Sequence, residues 1–152
     1  MLPRYAESEP GRFGLLNWAL CGKEEAMTNE ELNIYNLVRS ELCDDLIPLQ
    51  YKNVLEHSMC GHCHHASLAM YNLLGGSSSG YKLQKATDEK GIIHYWLLSP
   101  TDEIIDPTVE QYTDLGRPLP YVNKVDNRAS YRKTVATKKI ISAVELQLGT
   151  AT

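Results

Sequence analysis

The chain has 152 residues, a formal net charge of −4, 43% apolar residues and 22% charged ones. That length predicts a single domain over residues 1–152 that buries roughly two thirds of its unfolded surface, so neither a disulfide nor a metal is required to make up for a small core. The acidic balance argues against nucleic acid as a partner, because such affinity rests mainly on neutralising phosphates with Lys and Arg.

Residues Met1 to Met27 hold Pro3, Pro10, Gly11, Gly14 and Gly22 among scattered apolar residues, and read as an irregular arm packed on the core. Met1-Leu2-Pro3-Arg4-Tyr5-Ala6-Glu7 lacks the apolar run of a signal peptide and the composition of a transit peptide. No stretch reaches the length of a bilayer span, so no membrane partner is expected. The expectation is a cytoplasmic protein in a reducing compartment, where the four cysteines act as thiols, ligands or a nucleophile rather than as disulfides. Cys21, with no second ligand nearby, reads as a small buried thiol.

The core, residues 28–148, opens with Thr28-Asn29-Glu30-Glu31, a capping box in which the Thr28 hydroxyl and the Glu31 carboxylate each accept from the other's backbone N–H. A helix follows, with Leu32, Tyr35, Val38, Leu42 and Leu46 as its apolar stripe. Cys43 reads as a core or boundary residue. Pro48 to Ser58 is a packed connection into Met59-Cys60-Gly61-His62-Cys63-His64-His65-Ala66. Beyond it Ala66, Ala69, Met70, Leu73 and Leu74 have helical spacing, and Gly75-Gly76-Ser77-Ser78-Ser79-Gly80 ends that helix, which places Cys63 at its N-terminus.

Three strands come next: Tyr81 to Thr87, Ile92 to Ser99 and Glu103 to Asp106, joined by turns at Asp88-Glu89-Lys90-Gly91 and Pro100-Thr101-Asp102. They read as an antiparallel meander. Pairing of the last two strands about residue 100 or 101 puts His94 and Asp106 opposite or diagonal to each other on one face. A polar, proline-containing stretch then runs to Asn127, anchored by Tyr112, Leu115, Leu119, Tyr121 and Val122. A last helix covers about Ser130 to Leu148, with Tyr131, Val135, Ile141, Val144 and Leu148 as its stripe. Arg128, Arg132, Lys133, Lys138 and Lys139 read as a solvated face near it.

The cysteine cluster admits four chemistries. Cys60-Gly61-His62-Cys63-His64 has the spacing of a covalent haem site, but such attachment normally follows export. Cys60-Gly61-His62-Cys63 at a helix start could be a thiol-disulfide oxidoreductase, although no buried parallel strand runs into it. Cys60 and Cys63 with neighbouring histidines could hold zinc in a non-catalytic or regulatory module, although no second ligand pair completes a signature, and His64 and His65 are hard to aim at one ion. The fourth reading makes Cys63 a nucleophile. Its thiolate is favoured by the helix dipole, an oxyanion can form at the free N–H groups of the first turn, His94 takes the proton, and Asp106 fixes the histidine tautomer. A plainer alternative makes His94 a sheet histidine with satisfied hydrogen bonds and Asp106 a turn former.

Gly61-His62-Cys63-His64-His65-Ala66, His94-Tyr95-Trp96 and Ile105-Asp106-Pro107-Thr108 together resemble the transglutaminase-like branch of the papain-like cysteine enzymes. That pattern is a Gly-x-Cys opening a helix, a His-x-Trp strand and an Asp-Pro-Thr ending the next strand. The resemblance covers about Cys60 to Tyr112 and implies an α+β fold with the cysteine helix packed on a small antiparallel sheet. It also implies acyl transfer on an amide through a thioester, as a peptidase, deamidase or transamidase, with Cys63, His94 and Asp106 as the triad and with no cofactor. The substrate expected is a protein or a small amide. Trp96 would shield the His94–Asp106 bond, Cys60 is a rival thiol, and Gln50 is a candidate oxyanion donor. The chain's own order adds one expectation, that the cysteine helix packs on the face carrying Ile92, His94, Trp96, Ile104 and Asp106, with Ile93, Tyr95, Leu97 and Ile105 facing a second layer.

Overall fold

In the computed structural model, which describes residues 27–47, 57, 59, 61–126 and 129–150, the box at Thr28 forms as its sequence predicts. The Glu31 N–H donates to Thr28 Oγ1 at 3.1 Å and the Thr28 N–H to Glu31 Oε1 at 2.9 Å, opening helix α1, Asn29–Ser40. The chain divides into two compact units, Met1–Leu32 and Asn33–Thr152, and of the first only residues 27–32 are described. The N-terminal arm, Met27 apart, lies outside the described residues, as do Cys21, Gln50 and Cys60.

The apolar stripe of α1 differs from the expected one. Ile34 and Val38 are buried, whereas Leu32 is 44% exposed. The helix stops at Ser40, so Leu42 and Leu46 cannot extend its stripe; a 3-10 turn at Asp44–Leu46 instead turns Ile47 inward. Cys43, expected in the core or at its boundary, is exposed because it lies before that turn.

The second unit is α+β. Strands β1, Lys82–Thr87, β2, Ile93–Leu98, β3, Ile104–Ile105, and β4, Lys124–Asp126, form an antiparallel sheet in the order β3-β2-β1-β4. The expected meander is there. Leu97 lies opposite Ile105 and Leu98 opposite Ile104, which is pairing about residue 101. Its turn is closed by Ser99 N–H to Glu103 O at 2.8 Å and Asp102 N–H to Ser99 O at 2.9 Å, with Asp102 at φ 66, a left-handed position that aspartate tolerates better than most residues. β4 was not foreseen. It is three residues long, too short to show alternation, and it pairs with β1 across a register shift.

The turn between β1 and β2 is organised by Asp88. Its Oδ1 accepts from the Lys90 and Ile92 N–H groups at 2.8 and 3.0 Å, and its Oδ2 accepts from Tyr112 Oη and Arg117 Nη2, both at 2.8 Å. Burial works against the charge on Asp88, but these donors outweigh it and hold the carboxyl below its usual range. Asp88→Ala is expected to lower stability in urea denaturation by about 2 kcal/mol, since it leaves the buried Tyr112 hydroxyl without this acceptor and frees the turn. An unchanged midpoint would remove Asp88 from this role.

Helix α2, Cys63–Leu73, buries Ala66, Leu68, Ala69 and Met70 and packs against β2 and against α4, Val135–Thr150. The short helix α3, Glu110–Thr113, falls between α2 and α4 in chain order. α4 begins five residues later than expected. Thr134 and Thr137 cap it reciprocally, with Thr137 N–H to Thr134 Oγ1 at 3.1 Å and Thr134 N–H to Thr137 Oγ1 at 3.3 Å. Its buried face is Thr137, Ile140 and Val144, which leaves Val135 72% exposed and rotates the stripe away from the expected Tyr131-Val135-Ile141 line.

Candidate active site

Cys63 is the first residue of α2, preceded by His62 as N-cap. The turn before it is made by Gly61 at φ 85 and by the His62 N–H bonding to Met59 O at 3.2 Å. Glycine takes that positive φ without the Cβ clash other residues incur. Cys63 is half-buried, its sulfur lies 4.0 Å from the Ile93 carbonyl, and its thiol interacts electrostatically with the His94 ring.

His94 comes from the middle of β2 and is 1% exposed. Its Nε2 lies 2.7 Å from Asp106 Oδ2, the diagonal contact that the β2–β3 register predicts. Asp106 follows directly on β3 and is surrounded by donors. Its Oδ2 also accepts from Tyr121 Oη at 2.7 Å, and its Oδ1 accepts from the Thr108 N–H at 3.1 Å and the Thr108 hydroxyl at 3.4 Å. Tyr35 Oη reaches the Asp106 carbonyl at 3.3 Å. Burial, then the Asp106 charge, pushes the Tyr121 phenol well above its usual range, so Tyr121 is a fixed neutral donor.

Burial disfavours a charged His94, but the charge and hydrogen bond of Asp106, followed by the hydrogen bond and charge of Cys63, outweigh it. The ring therefore binds its second proton more tightly than an ordinary histidine. Trp96 lies on the same face, 2% exposed, with its ring 6.0 Å from that of His94 at an interplanar angle of 24° and 4.9 Å from that of Tyr121. Tyr112 meets the His94 ring edge-on at 4.7 Å. These rings line the buried His94 side chain, and Trp96 lies beside it on the same strand face.

Packing of α2 on β2 differs in one respect from expectation. Cys63 reaches His94, but the next residue, His64, meets Tyr95 at a ring distance of 4.6 Å, and Tyr95 has the opposite strand parity. Successive helical residues point about 100° apart, so neighbouring positions in the first turn of α2 meet different residues of β2. Ile92 and Ile104, 58% and 46% exposed, lie at the rim of the face that His94 and Trp96 share.

The remaining histidines diverge from Cys63. His64 Nε2 donates to Ser130 O at 2.8 Å, while His62 Nδ1 and His65 Nε2 bond to each other at 2.6 Å in a buried pair. Burial first, then the neighbouring His62 and His64, pushes His65 down to about 3; burial also lowers His62 against the pull of Asp44. His64 and His65 thus turn to different partners, as the helix spacing predicts. Among the described residues no group of three His, Cys, Asp or Glu side chains is placed to hold a metal. Cys60, the other thiol of the cluster, lies outside those residues, as does Gln50.

Sequence reasoning missed Gln111, whose Nε2 is 3.2 Å from His94 Nδ1 and 3.0 Å from Thr108 Oγ1. The signal was its three-residue spacing from Thr108 on a helical turn, a spacing that brings side chains together. It also treated Tyr121 only as an apolar anchor; nothing in an irregular segment marks a tyrosine that returns to an aspartate 15 residues earlier. No protein-family model matches the chain, and comparison with curated proteins and with solved structures finds no match.

Proposed function

We propose that this protein is a cysteine-dependent hydrolase or acyltransferase that acts on an amide through a thioester, with Cys63 as nucleophile, His94 as base and Asp106 as the acid that orients it. The observation that carries this reading is the buried 2.7 Å bond from His94 Nε2 to Asp106, which leaves Nδ1 as the ring nitrogen not held by the carboxylate, in a ring that interacts electrostatically with a helix-start thiol. It is strengthened by the resemblance to the transglutaminase-like branch of the papain-like enzymes, which we adopt as part of the proposal.

In the reaction, His94 Nδ1 takes the Cys63 proton and the thiolate attacks the substrate carbonyl carbon. The carbonyl π pair moves to oxygen, where the first-turn N–H groups of α2, which a helix leaves without intrahelical acceptors, can hold the anion. Collapse breaks the C–N bond as Nδ1 returns its proton to the leaving amine. Water or an acceptor amine, deprotonated by the same nitrogen, then releases the acyl group and restores the thiol. Asp106 accepts from Nε2 and holds the proton on that nitrogen. The substrate class is a protein or small amide.

The test is alkylation of the full chain with iodoacetamide, located by peptide mass spectrometry. Wild type is expected to label at Cys63 faster than at Cys43 or Cys60, and Cys63→Ala to lose the fast phase. A fast phase that persists in Cys63→Ala and vanishes in Cys60→Ala would move the nucleophile to Cys60.

A further inference from the structure

The two nitrogens of His94 have different company. Nε2 faces the Asp106 carboxylate, whereas Nδ1 faces the Gln111 amide nitrogen, 3.2 Å away, and the ring as a whole interacts with Cys63. Thr108 sets which way that amide points. The carboxylate of Asp106 only accepts, so the Thr108 hydroxyl hydrogen is directed at its Oδ1, leaving the hydroxyl's lone pairs for a Gln111 N–H at 3.0 Å. The second N–H on the same nitrogen then points at His94 Nδ1. Gln111 is 7% exposed, so water does not readily replace this contact.

We propose that Gln111 is a positioning residue of the site: its amide N–H occupies the His94 Nδ1 lone pair and opposes transfer of the Cys63 proton to that nitrogen until the amide turns away. The inference rests on the reading of Cys63 and His94 as nucleophile and base. The ionisable groups around the ring are Asp106 from the end of β3, Cys63 from α2 and Tyr112 from α3, with Tyr121 acting through Asp106. Asp106 and Cys63 favour the imidazolium, and Gln111 favours the neutral ring.

That opposition matches what the chemistry asks of the base. A histidine held too firmly in its charged form takes the thiol proton but surrenders it slowly to the leaving amine. A donor at Nδ1 offsets the Asp106 carboxylate and keeps proton transfer reversible in both directions. Once Nδ1 carries a proton it must itself donate. Rotation of the Gln111 amide then presents Oε1 to it, and the Thr108 hydroxyl can turn from Asp106 to donate to the same oxygen. Both states of His94 are served by one amide and one hydroxyl.

The experiment is a titration of the His94 ring by nitrogen-15 NMR in the full chain, with the pH dependence of Cys63 alkylation by iodoacetamide measured in parallel. Gln111→Met keeps the bulk and removes the donor. It is expected to raise the His94 midpoint by about one pH unit and to speed Cys63 alkylation at pH 6 about fivefold, the worth of one hydrogen bond to the neutral ring. Gln111→Glu, which replaces the donor by an acceptor, is expected to raise the midpoint further, and it decides the matter if the methionine variant does not fold. A His94 midpoint unchanged or lowered in either folded variant overturns the proposal, as does a neutral wild-type ring protonated at Nδ1. If wild-type Cys63 reacts no faster than an ordinary cysteine, the enzymatic reading fails, while the His94 midpoints still decide the role of Gln111.

Discussion

Asp106→Asn is expected to slow iodoacetamide alkylation of Cys63 at pH 7 roughly tenfold and to slow amide turnover on the order of 10⁴-fold. The carboxylate accepts from His94 Nε2, Tyr121 Oη, and the Thr108 N–H and hydroxyl, two donors to each oxygen. An asparagine keeps one oxygen and aims an NH₂ at whichever pair of donors faces it. If that pair is His94 and Tyr121, Nε2 is forced to accept, its proton moves to Nδ1, and the ring cannot receive the thiol proton. A cysteine without such a base is only about 3 per cent thiolate at pH 7, and losing the base, partly offset by the greater nucleophilicity of the more basic thiolate, gives the tenfold figure. The buried donors left facing the amide also cost stability, about 3–5 kcal/mol in urea denaturation. Circular dichroism separates the two effects. A folded Asp106→Asn protein that alkylates at the wild-type rate would exclude Asp106 from the proposed chemistry.

The second large effect is loss of stability in mild acid, driven by the His62–His65 pair. His65 is pushed down to about 3 in the folded protein, by burial first and then by its histidine neighbours, whereas the unfolded chain takes up that proton near 6.5. Between these values the unfolded state carries the extra proton, so it gains as pH falls. The contribution of His65 to stability is complete above about pH 6.5 and is lost progressively down to about pH 3, at up to about 1.4 kcal/mol per pH unit. From pH 6.5 to pH 5 that amounts to about 2 kcal/mol, and His62, shifted in the same direction, adds to it. In His65→Gln the amide can reach the place of Nε2 and bond to His62 without titrating. Urea midpoints of this variant between pH 7 and pH 4.5 are expected to fall less steeply than those of wild type; parallel curves would assign the acid limb to other groups.

The meeting of His94 and Asp106 was legible because it depends on local rules. Pro100-Thr101-Asp102 fixes a tight turn, strand alternation fixes which side chains share a face, and together they bring two residues 12 apart into contact. The position of Cys63 at a helix start was legible for a similar reason, since Gly61 before it and the apolar repeat after it bracket the boundary. The support around Asp106 was not. Tyr35 and Tyr121 are placed by tertiary packing of α1 and a 3-10 turn at Pro120–Asn123, and their sequence neighbourhoods carry no period that points to an aspartate. The same limit explains α4: an apolar period read from Tyr131 onward placed Val144 correctly but missed Ile140 and Thr137, the latter a polar residue that caps the helix and is fully buried.

The tyrosine contacts to Asp106 set an order of assembly. The His94–Asp106 bond closes a short loop, the Tyr121 contact adds a return from the segment leading to β4, and Tyr35 arrives from 71 residues upstream. Loop closure grows costlier with separation, so the hairpin can pair early, while the enclosure of its aspartate waits for the most distant parts of the second unit to dock. A nascent or partly unfolded chain would then hold the His94–Asp106 hairpin in open water, where solvent competes for both partners. On the proposed reading, reactivity of the thiol becomes a late property of folding, acquired only when Tyr35 and Tyr121 have docked on the hairpin.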